Sequence, residues 1–386
     1  MLATELELLL DRAAAQTRRF EERLPTGVAI FDAHVHLGRD VDGMVADYDE
    51  LVAMLERYGD ARAFAFCLDE EDRAPAFRAP NDRTLAHARR SGGRIVAFAR
   101  LDLADGAAAE AHRCLDLGAR GIKLHSRAQS FDVESSALDA VLAVAAERQV
   151  PVLVHGGAGM PSVAAGLARL LDRRPSTQLI VAHAGIGDLV ALSERLAGRP
   201  GAFFDTSVWS PIDLLDLLAR VPPEQILYAS DYPYGQQPSS LAIAFLALRA
   251  AGAPDAAVRA VLGGNAARIA DGLPPRMPSV PLGPATLTAT VTETRVHQYI
   301  SMAAPLLWRQ RRDSVGVLDL ALAAIPGDEN EELRELLTTA RDLWQAVPEL
   351  DDAARRRTAA RAVFQLVQLA DVLATTGAGQ AARAVG

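Results

Sequence analysis

The stretch of residues 119–155 decides the fold. It holds two short apolar runs, ARGIKLH (119–125) and VPVLVH (150–155), on either side of the segment SALDAVLAVAAERQ (136–149). Both runs have the β-branched, apolar composition of a buried strand. The segment between them repeats Leu, Val and Ala every three or four positions, which is typical of the buried face of a helix. The order strand, helix, strand predicts a parallel β-α-β unit.

The same alternation continues on both sides of that unit. Strand candidates, eight in all, lie at residues 27–36, 61–68, 94–101, 119–125, 150–155, 177–183, 201–206 and 225–231. Eight strands alternating with helices over roughly 250 residues are typical of a (β/α)8 barrel, so we predict the α/β class and a TIM barrel. A doubly wound open sheet is the alternative, but no glycine-rich phosphate-binding sequence follows the first strand.

We predict three regions in the chain. Residues 1–26 form a short amphipathic helix, because acidic residues interrupt its leucine cluster. The barrel spans residues 27–280 and ends in a linker rich in Pro and Gly after the sequence GGNAARIADGLPP. Residues 281–386 have helical periodicity and form an added C-terminal all-α domain of three or four helices, whose role the sequence does not indicate.

The composition limits the classes of partner. The 386 residues are 50% hydrophobic and carry a net charge of −9, which argues against nucleic acid or an anionic membrane surface as the partner. Cys67 and Cys114 are far apart in apolar surroundings and predict reduced thiols rather than a disulfide framework. No apolar run reaches the roughly 18 residues that span a bilayer or resembles a secretion signal, so we expect a cytoplasmic protein.

Polar residues with metal-ligand chemistry end several predicted strands. They are His34 and His36 on the first strand, His125 on the fourth, His155 on the fifth, His183 on the sixth and Asp231 on the eighth. Carboxyl ends of barrel strands converge at one mouth, so we expect these residues to form a cluster. Alternate strand residues share a face, which lets His34 and His36 grip one ion. The remaining histidines, His87, His112 and His297, are interpreted as surface or packing residues.

The order of these residues resembles the amidohydrolase superfamily: His-x-His on strand 1, Lys on strand 4, His on strands 5 and 6, and Asp on strand 8. The sequences FDAHVHLG, GIKLHS, VLVHGG, IVAHAG, YASDYPYG and GGNAARI are similar to those of the amidohydrolase-related group. That group also contains decarboxylases similar to aminocarboxymuconate semialdehyde decarboxylase. The resemblance covers residues 27–275 and implies a metal-dependent enzyme with a TIM barrel.

Neutral imidazoles and a carboxylate suit one divalent metal ion, Zn²⁺ first, with Mn²⁺ or Fe²⁺ as alternatives. We predict His34, His36, His155 and Asp231 as its ligands. His183 is then free to act as a catalytic general acid or base. The resemblance also gives Asp231 a catalytic role, in which it takes the proton of the metal-bound water.

Lys123 has three interpretations. In binuclear members of the superfamily the lysine of strand 4 is carbamylated and bridges two metal ions, and His183 would then be a further ligand. In members with one ion it would contact a substrate anion or a rim carboxylate. The third interpretation is a plain ion pair. Lys123 is the single Lys among 40 basic residues, which argues against an ordinary charge, because Arg fills that role elsewhere in the chain. We favour one ion.

Two reactions fit this set of residues. We favour hydrolysis, in which metal-bound water attacks an amide, ester or lactone carbon of a small-molecule substrate. Non-oxidative decarboxylation of a small aromatic or unsaturated carboxylic acid is the alternative. A barrel that serves only as a binding or assembly platform is a third interpretation, which the complete metal set disfavours. The C-terminal helices could cover the barrel, form a lid over the site or build a homodimer.

Five other residues near the predicted strand ends are weaker candidates. Arg39 and Arg100 could bind a substrate carboxylate, and Trp209 and Tyr232 could contact an apolar substrate. Asp205 ends the seventh strand. A structural role explains each of them at least as well.

Overall fold

The computed structural model describes residues 3–157, 162–208, 210–287, 289–308, 312–327 and 330–377. Its strands are β1 (Phe31–Arg39), β2 (Val45–Ala46), β3 (Arg62–Cys67), β4 (Ile95–Arg100), β5 (Gly121–Leu124), β6 (Val152–Val154), β7 (Leu179–Val181), β8 (Ala202–Asp205) and β9 (Ile226–Leu227). They form one sheet in the order β2-β1-β3-β4-β5-β6-β7-β8-β9. All neighbours pair in parallel except β2, which adds an antiparallel edge to β1.

Backbone hydrogen bonds join the end of the sheet to its beginning. The chain that continues β9 lies beside β1, where the Ala33 amide donates to the Tyr228 carbonyl at 2.8 Å and the His36 amide donates to the Tyr232 carbonyl at 2.7 Å. The Asp231 amide donates back to the His34 carbonyl at 2.9 Å. The eight parallel strands therefore close into the predicted TIM barrel. The two-residue strand β2 is an addition that the sequence pattern did not predict.

The barrel interior is filled by alternate residues of the strands. In β3, Phe64 and Phe66 point inward, whereas Ala63 and Ala65 face the surrounding helices. Phe64 lies between Phe31 and Phe98, with ring centroids 4.6 Å away on each side. Phe66 lies above them, 5.0 Å from the ring of His34. The polar groups at the carboxyl end of the barrel consequently rest on a dry aromatic layer.

Helices alternate with these strands and then follow them. They are α1 (Ala3–Glu21), α2 (Tyr48–Glu56), α3 (Arg78–Arg90), α4 (Ala107–Asp116), α5 (Ser136–Arg148), α6 (Ala164–Arg173), α7 (Leu189–Leu196), α8 (Pro211–Arg220), α9 (Gln237–Ala250), α10 (Asp255–Arg259), α11 (Asn265–Ala270), α12 (Val291–Trp308), α13 (Val317–Ala324), α14 (Glu331–Ala346) and α15 (Ala353–Thr376). Several begin at a side chain that caps the first turn: Asp47, Ser135, Ser210 and Asp352 accept hydrogen bonds from amides of α2, α5, α8 and α15. No helix in the described part of the chain is long and apolar enough to cross a membrane.

The C-terminal helices pack on one another and on one side of the barrel. Helix α15 contacts α12 and α14 within this group, and α9 of the barrel outside it. The N-terminal helix α1 packs against α14, α15 and α9, so the two ends of the chain share one apolar layer. Burial of apolar area is the main stabilising term for such a layer.

A polar face of α15 contacts β2, α2 and the segment that follows β9. Arg361 donates to Glu50 at 2.6 Å and to the Val45 carbonyl at 3.2 Å. One turn and two turns further along the same face, Gln365 donates to Gln236 at 3.5 Å and Gln368 accepts from Ser239 at 2.6 Å. Residues spaced in this way lie on one side of a helix. The C-terminal helices therefore contact the barrel beside the mouth as well as at its flank.

Candidate metal centre

The structure brings the predicted site residues together at the carboxyl end of the barrel. His34 and His36 lie in β1, and Lys123 lies in β5. The others follow strand ends: His125 after β5, His155 after β6, His183 in the 3-10 turn Ala182–Gly185 and Asp231 after β9. His36, His125, His155, His183 and Asp231 line a cavity of about 830 Å³. His34 and Lys123 lie beneath them, and both are fully buried.

Two groups of three donor atoms, which share His34, lie close enough together to hold a metal ion. In the first, the carboxylate of Asp231 is 3.3 Å from His34 Nε2 and 3.2 Å from His36 Nε2. The second group combines His34, His183 and Asp205. Within each group the ligand atoms lie within 4.8 Å of one another. Two imidazoles and a carboxylate on the floor of a cavity fit a first-row divalent ion such as Zn²⁺, Mn²⁺ or Fe²⁺.

Asp205 sets the orientation of His34. One carboxylate oxygen of Asp205 lies 2.8 Å from His34 Nδ1, and both side chains are buried. An ionised carboxylate only accepts hydrogen bonds, so Nδ1 of His34 carries the proton and Nε2 keeps its lone pair. Burial first, and the charge of Lys123 second, hold the pKa of His34 well below its ordinary value. His34 is therefore neutral, which is the form that binds a metal ion.

The other oxygen of Asp205 organises His183. It accepts from the His183 amide at 2.8 Å and from the Ser207 hydroxyl. Because the hydroxyl proton of Ser207 is used in that bond, Nδ1 of His183 donates to Ser207 Oγ at 2.8 Å. Nε2 of His183 is then an acceptor, and Nδ1 of His155 donates to it at 3.2 Å. Asp205 thus fixes the tautomers of His183 and His155 as well as that of His34.

His155 stands apart from the two groups of donor atoms. Its ring stacks on His125 with centroids 3.7 Å apart, and burial lowers the pKa of both rings. The tautomer that His183 imposes leaves Nε2 of His155 with a free lone pair. His155 as a fourth ligand nevertheless stays a prediction, because it is the partner of His183 here and belongs to neither close group.

Lys123 is fully buried, and burial favours its neutral form. Its Nζ lies 3.5 Å from His34 Nε2 and 4.6 Å from the centre of the Phe66 ring. Burial lowers the pKa of Lys123 to about 7, although the charges of Asp205 and Asp231 act in the opposite direction. Within the described residues, no carboxylate lies at ion-pair distance from Nζ. The environment therefore does not support the plain ion pair, and it is compatible with both other interpretations of Lys123.

The two predicted catalytic residues have unusual backbone conformations. His183 has φ of 55° and Asp231 has φ of 60°, in the left-handed region that non-glycine residues seldom occupy. Each is held by a hydrogen bond from its own amide, to Asp205 and to the His34 carbonyl respectively. Such conformations cost roughly 1 to 3 kcal/mol and are concentrated at functional sites. They turn both side chains toward the cavity at points where the strands have ended.

Asp32 anchors the segment that carries Asp231. Its carboxylate accepts from the Ser230 amide at 2.9 Å, the Gln237 side chain at 2.8 Å and the His34 amide at 3.2 Å. Burial raises the pKa of Asp32 to about 6, and these hydrogen bonds limit the rise. Gly235 tightens the same segment, since a Cβ there would lie 1.9 Å from the Ser230 carbonyl oxygen. Sequence reasoning missed Asp32, whose only signal is its position next to the histidine motif.

The five weaker candidates differ in whether they reach the cavity. Arg100 is buried and lines the cavity, whereas Arg39 is exposed and does not. Tyr232 directs its hydroxyl to Glu50, outside the cavity. Asp205 is a central residue of the site rather than a simple strand end, and its location on β8 was the available signal. Trp209 lies outside the described residues.

Comparisons with known proteins identify the family. The family model described as Amidohydrolase matches residues 31–269, which is more than half of the chain. The chain therefore belongs to the amidohydrolase family. No curated protein matches the chain significantly.

Solved structures share the barrel at low identity. A Staphylococcus aureus protein classed as an amidohydrolase has 18% identity and a TM-score of 0.50, over 63% of this chain and 99% of its own. A manganese-bound dihydroxybenzoic acid decarboxylase of Polaromonas has 16% identity and a TM-score of 0.50, over 63% and 97%. An Acinetobacter baumannii protein assigned as a 2-pyrone-4,6-dicarboxylic acid hydrolase has 12% identity and a TM-score of 0.48, over 63% and 99%. The two likenesses with a TM-score of 0.50 support the barrel fold and leave the reaction open.

Proposed function

We propose that this protein is a metal-dependent hydrolase that cleaves an amide, ester or lactone bond of a small molecule. The observation that carries the proposal is the grouping of His34, His36 and Asp231 on the floor of a cavity that His183 also lines. When bound, a divalent cation would polarise an oxygen atom of the substrate and lower the pKa of a coordinated water molecule toward neutrality. The cavity of about 830 Å³ suits a small organic substrate.

His183 and Asp231 are the groups that we assign to proton transfer. Burial lowers the pKa of His183, so its ring is neutral before the reaction, and its Nδ1 proton is held by Ser207. Nε2 carries the lone pair, which can accept a proton and return it to a leaving group once the hydrogen bond from His155 is exchanged for one to the substrate. Burial raises the pKa of Asp231 well above its ordinary value, so this carboxylate also takes up a proton readily. The two side chains approach the cavity from β7 and β9.

We assign one metal ion to the site, most readily Zn²⁺, with Mn²⁺ or Fe²⁺ as alternatives. The donors are nitrogen and oxygen atoms only, which all three ions accept. A second ion, bridged by a carbamylated Lys123 and with His183 as a further ligand, is the alternative. Elemental analysis distinguishes the two. We expect about one ion per chain, and two ions with loss of one in Lys123→Ala would establish the bridged pair.

Decarboxylation of a small carboxylic acid is the second candidate, and Arg100 is the observation that favours it. Its guanidinium is buried at the cavity wall, where it could hold a substrate carboxylate. His183 or Asp231 would then protonate the carbon that loses carbon dioxide. This reaction uses the same metal ligands as hydrolysis, so the ligands alone do not discriminate between the two.

The deciding experiment follows oxygen and carbon dioxide in parallel. Metal-loaded protein is screened against amides, esters, lactones and aromatic or unsaturated carboxylates in ¹⁸O-water, with His34→Ala/His36→Ala as the control for contaminating activity. Incorporation of ¹⁸O into the organic product without carbon dioxide supports hydrolysis. Carbon dioxide release with no ¹⁸O in that product replaces hydrolysis by decarboxylation. Metal-loaded protein that turns over nothing in the panel favours the binding or assembly platform.

A further inference from the structure

His125 lines the cavity but belongs to neither group of metal donors. It follows β5, and its ring stacks on that of His155, with centroids 3.7 Å apart and an angle of 16° between the planes. His155 in turn donates to His183 at 3.2 Å. Three imidazoles therefore stand side by side where the neighbouring strands β5, β6 and β7 end.

The backbone determines which nitrogen of His125 carries the proton. The Ala128 amide donates to Nδ1 at 3.2 Å, and a ring nitrogen that accepts a hydrogen bond is unprotonated. The proton is therefore on Nε2, and the ring is neutral. The turn that supplies this amide is closed by a hydrogen bond from the Gln129 amide to the His125 carbonyl at 3.0 Å. The other tautomer would set two N–H groups against each other, so the backbone holds His125 in the Nε2–H form.

The Nε2–H of His125 is a donor that no group uses. It forms no hydrogen bond within the described residues. It is also not enclosed by protein atoms, in contrast to the unpartnered Nδ1 atoms of His36 and His87. His155 covers one face of the ring and the Ala128 amide closes the Nδ1 edge, which leaves the N–H at the edge that borders the cavity. The donor is thus held in place before a ligand arrives.

The two stacked rings offer opposite groups to the cavity. His155 donates through Nδ1 and keeps a lone pair at Nε2, whereas His125 keeps a proton there. A metal ion binds only an unprotonated nitrogen, so the Nε2–H of His125 suits an oxygen atom that accepts a hydrogen bond. Gly157 keeps this part of the wall open, because a Cβ there would lie 3.3 Å from His155 Nε2. A substrate oxygen can therefore reach the pair of rings.

We propose that His125 donates its Nε2–H to the oxygen atom of the substrate that gains negative charge in the reaction. The inference rests on the proposed function, because in hydrolysis this atom is the carbonyl oxygen of the amide, ester or lactone. A donor that is oriented in advance stabilises the developing charge without the cost of reorientation. His125 then acts on the carbonyl oxygen, and His183 acts on the proton of the leaving group.

Three substitutions of His125 separate hydrogen bonding from packing. His125→Gln places a side-chain N–H near the position of Nε2, whereas His125→Asn can accept from the Ala128 amide but does not reach that position. His125→Phe keeps a ring that can stack on His155 and has no N–H. A hydrogen-bonding role predicts that only the Gln variant is tolerated. A role in packing alone predicts that the Phe variant is the best of the three.

Kinetics on the substrate found in the screen are the first measurement. We expect His125→Phe and His125→Asn to lower kcat about 10²- to 10³-fold and to change KM by less than about threefold, since the donor acts on charge that develops during the reaction. His125→Gln should stay within about tenfold of wild type, because it restores the hydrogen bond. Metal content and melting temperature are measured alongside and should match wild type. A kcat of His125→Phe equal to that of wild type, or a lower kcat in the Gln variant than in the Phe variant, overturns the proposal.

Binding of phenylphosphonate, whose charged oxygens surround a tetrahedral atom, needs no turnover. It is titrated by NMR into the full chain, both loaded with Zn²⁺ and freed of metal by a chelator, while the ring ¹⁵N signals of His125 are observed. Ligand-free protein should show a protonated Nε2 and an unprotonated Nδ1, and the ligand should shift the Nε2 signal. We expect His125→Phe to bind about tenfold more weakly than wild type, and His125→Gln to stay within about threefold. A proton on Nδ1, no binding by wild type, or equal affinity in wild type and the Phe variant overturns the proposal.

The two measurements distinguish this inference from the proposed function. A protein that binds phenylphosphonate through His125 but holds no metal and turns over nothing in the panel would refute the function and leave the donor standing. A metal-loaded hydrolase in which His125→Phe is as fast as wild type would keep the function and refute the donor.

Discussion

The mouth of the barrel is held together by buried polar contacts, whereas the C-terminal helices are held together by apolar packing. At the mouth, buried polar groups such as His34, Lys123 and Asp205 are placed by partners on other strands. In α12–α15, apolar faces are buried and most charges, for example those of Arg312 and Glu349, pair at the surface. A buried polar network fails when one partner is lost, whereas an apolar layer tolerates small changes at its surface. Substitutions at the mouth should therefore change function, whereas substitutions on the surface of the C-terminal helices should have small effects.

Arg361 is a contact between the two regions close to the metal centre. Arg361 of α15 lies over the Tyr232 ring, with Cζ 5.8 Å from its centre, and both side chains contact Glu50. Tyr232 directly follows Asp231 in the chain. The polar face of α15 is consequently the route by which the C-terminal helices can influence the metal centre.

The largest effect is expected from removal of the histidine pair. His34→Ala/His36→Ala deletes two of the three close donors in the group with Asp231, so the protein should lose its metal ion and fall to background turnover. Elemental analysis and turnover of the substrate found in the screen check this together. Full activity after exhaustive chelation would contradict the metal-dependent mechanism.

His183→Ala should cost about 10²- to 10⁴-fold in turnover, the usual contribution of a general acid or base. Metal content and melting temperature should stay near those of wild type, because the first group of donors does not include His183. Loss of metal together with activity would make His183 a ligand and support the site with two ions.

The barrel and most of the site could be predicted because both depend on regular patterns. Strand and helix alternate in the sequence, and the carboxyl ends of parallel strands necessarily meet at one mouth. His34, His36, His183 and Asp231 are therefore neighbours in space although they are far apart in the chain. Local composition and one rule of topology were sufficient for that conclusion.

The supporting contacts could not be predicted, because they depend on side-chain geometry between distant residues. Asp205 is one aspartate at a strand end, and nothing in the sequence indicates that it orients three histidines. The ion pair of Arg361 with Glu50 spans 311 positions. The left-handed backbone of His183 also has no signal in the residue type. Such features follow from the packed structure rather than from periodicity.

Asp205→Asn should have an intermediate effect, about 10- to 100-fold on metal affinity or turnover, as is usual for the partner of a ligand histidine. The amide can donate to His34 Nδ1 and so permits the wrong tautomer. Ser207→Ala is the matched variant, because it breaks only the arm toward His183. A metal titration should separate them: Asp205→Asn weakens binding and Ser207→Ala does not. Equal metal affinity in the two variants would show that Asp205 does not orient His34 for metal binding.

Arg361→Ala tests whether α15 influences the mouth. We expect turnover to fall roughly threefold to tenfold, equivalent to about 0.7 to 1.4 kcal/mol in activation free energy. The melting temperature should change little, since an exposed ion pair contributes weakly to stability. Arg355→Ala, at the exposed start of the same helix, is the control and should match wild type. Unchanged turnover in Arg361→Ala would show that this contact of α15 does not influence the metal centre.

The smallest effect should be a pH dependence of stability that belongs to the helices alone. His297 of α12 donates to Asp371 of α15 at 2.6 Å, and this hydrogen bond raises the pKa of His297. A raised pKa in the folded state gives stabilisation that is complete below the unfolded value, near 6.5, and is lost as the pH rises through the folded value. Burial raises the pKa of Asp371 as well, and this also makes the folded protein less stable as the pH rises, but in a lower pH range.

The free energy of unfolding of wild type should therefore exceed that of His297→Gln by roughly 1 kcal/mol at pH 6, a typical value for such a pair. The difference should shrink toward pH 9. Urea unfolding at both pH values measures it, with His112→Gln on α4 as the control. A difference that grows with pH would show that His297 is neutral in the folded protein.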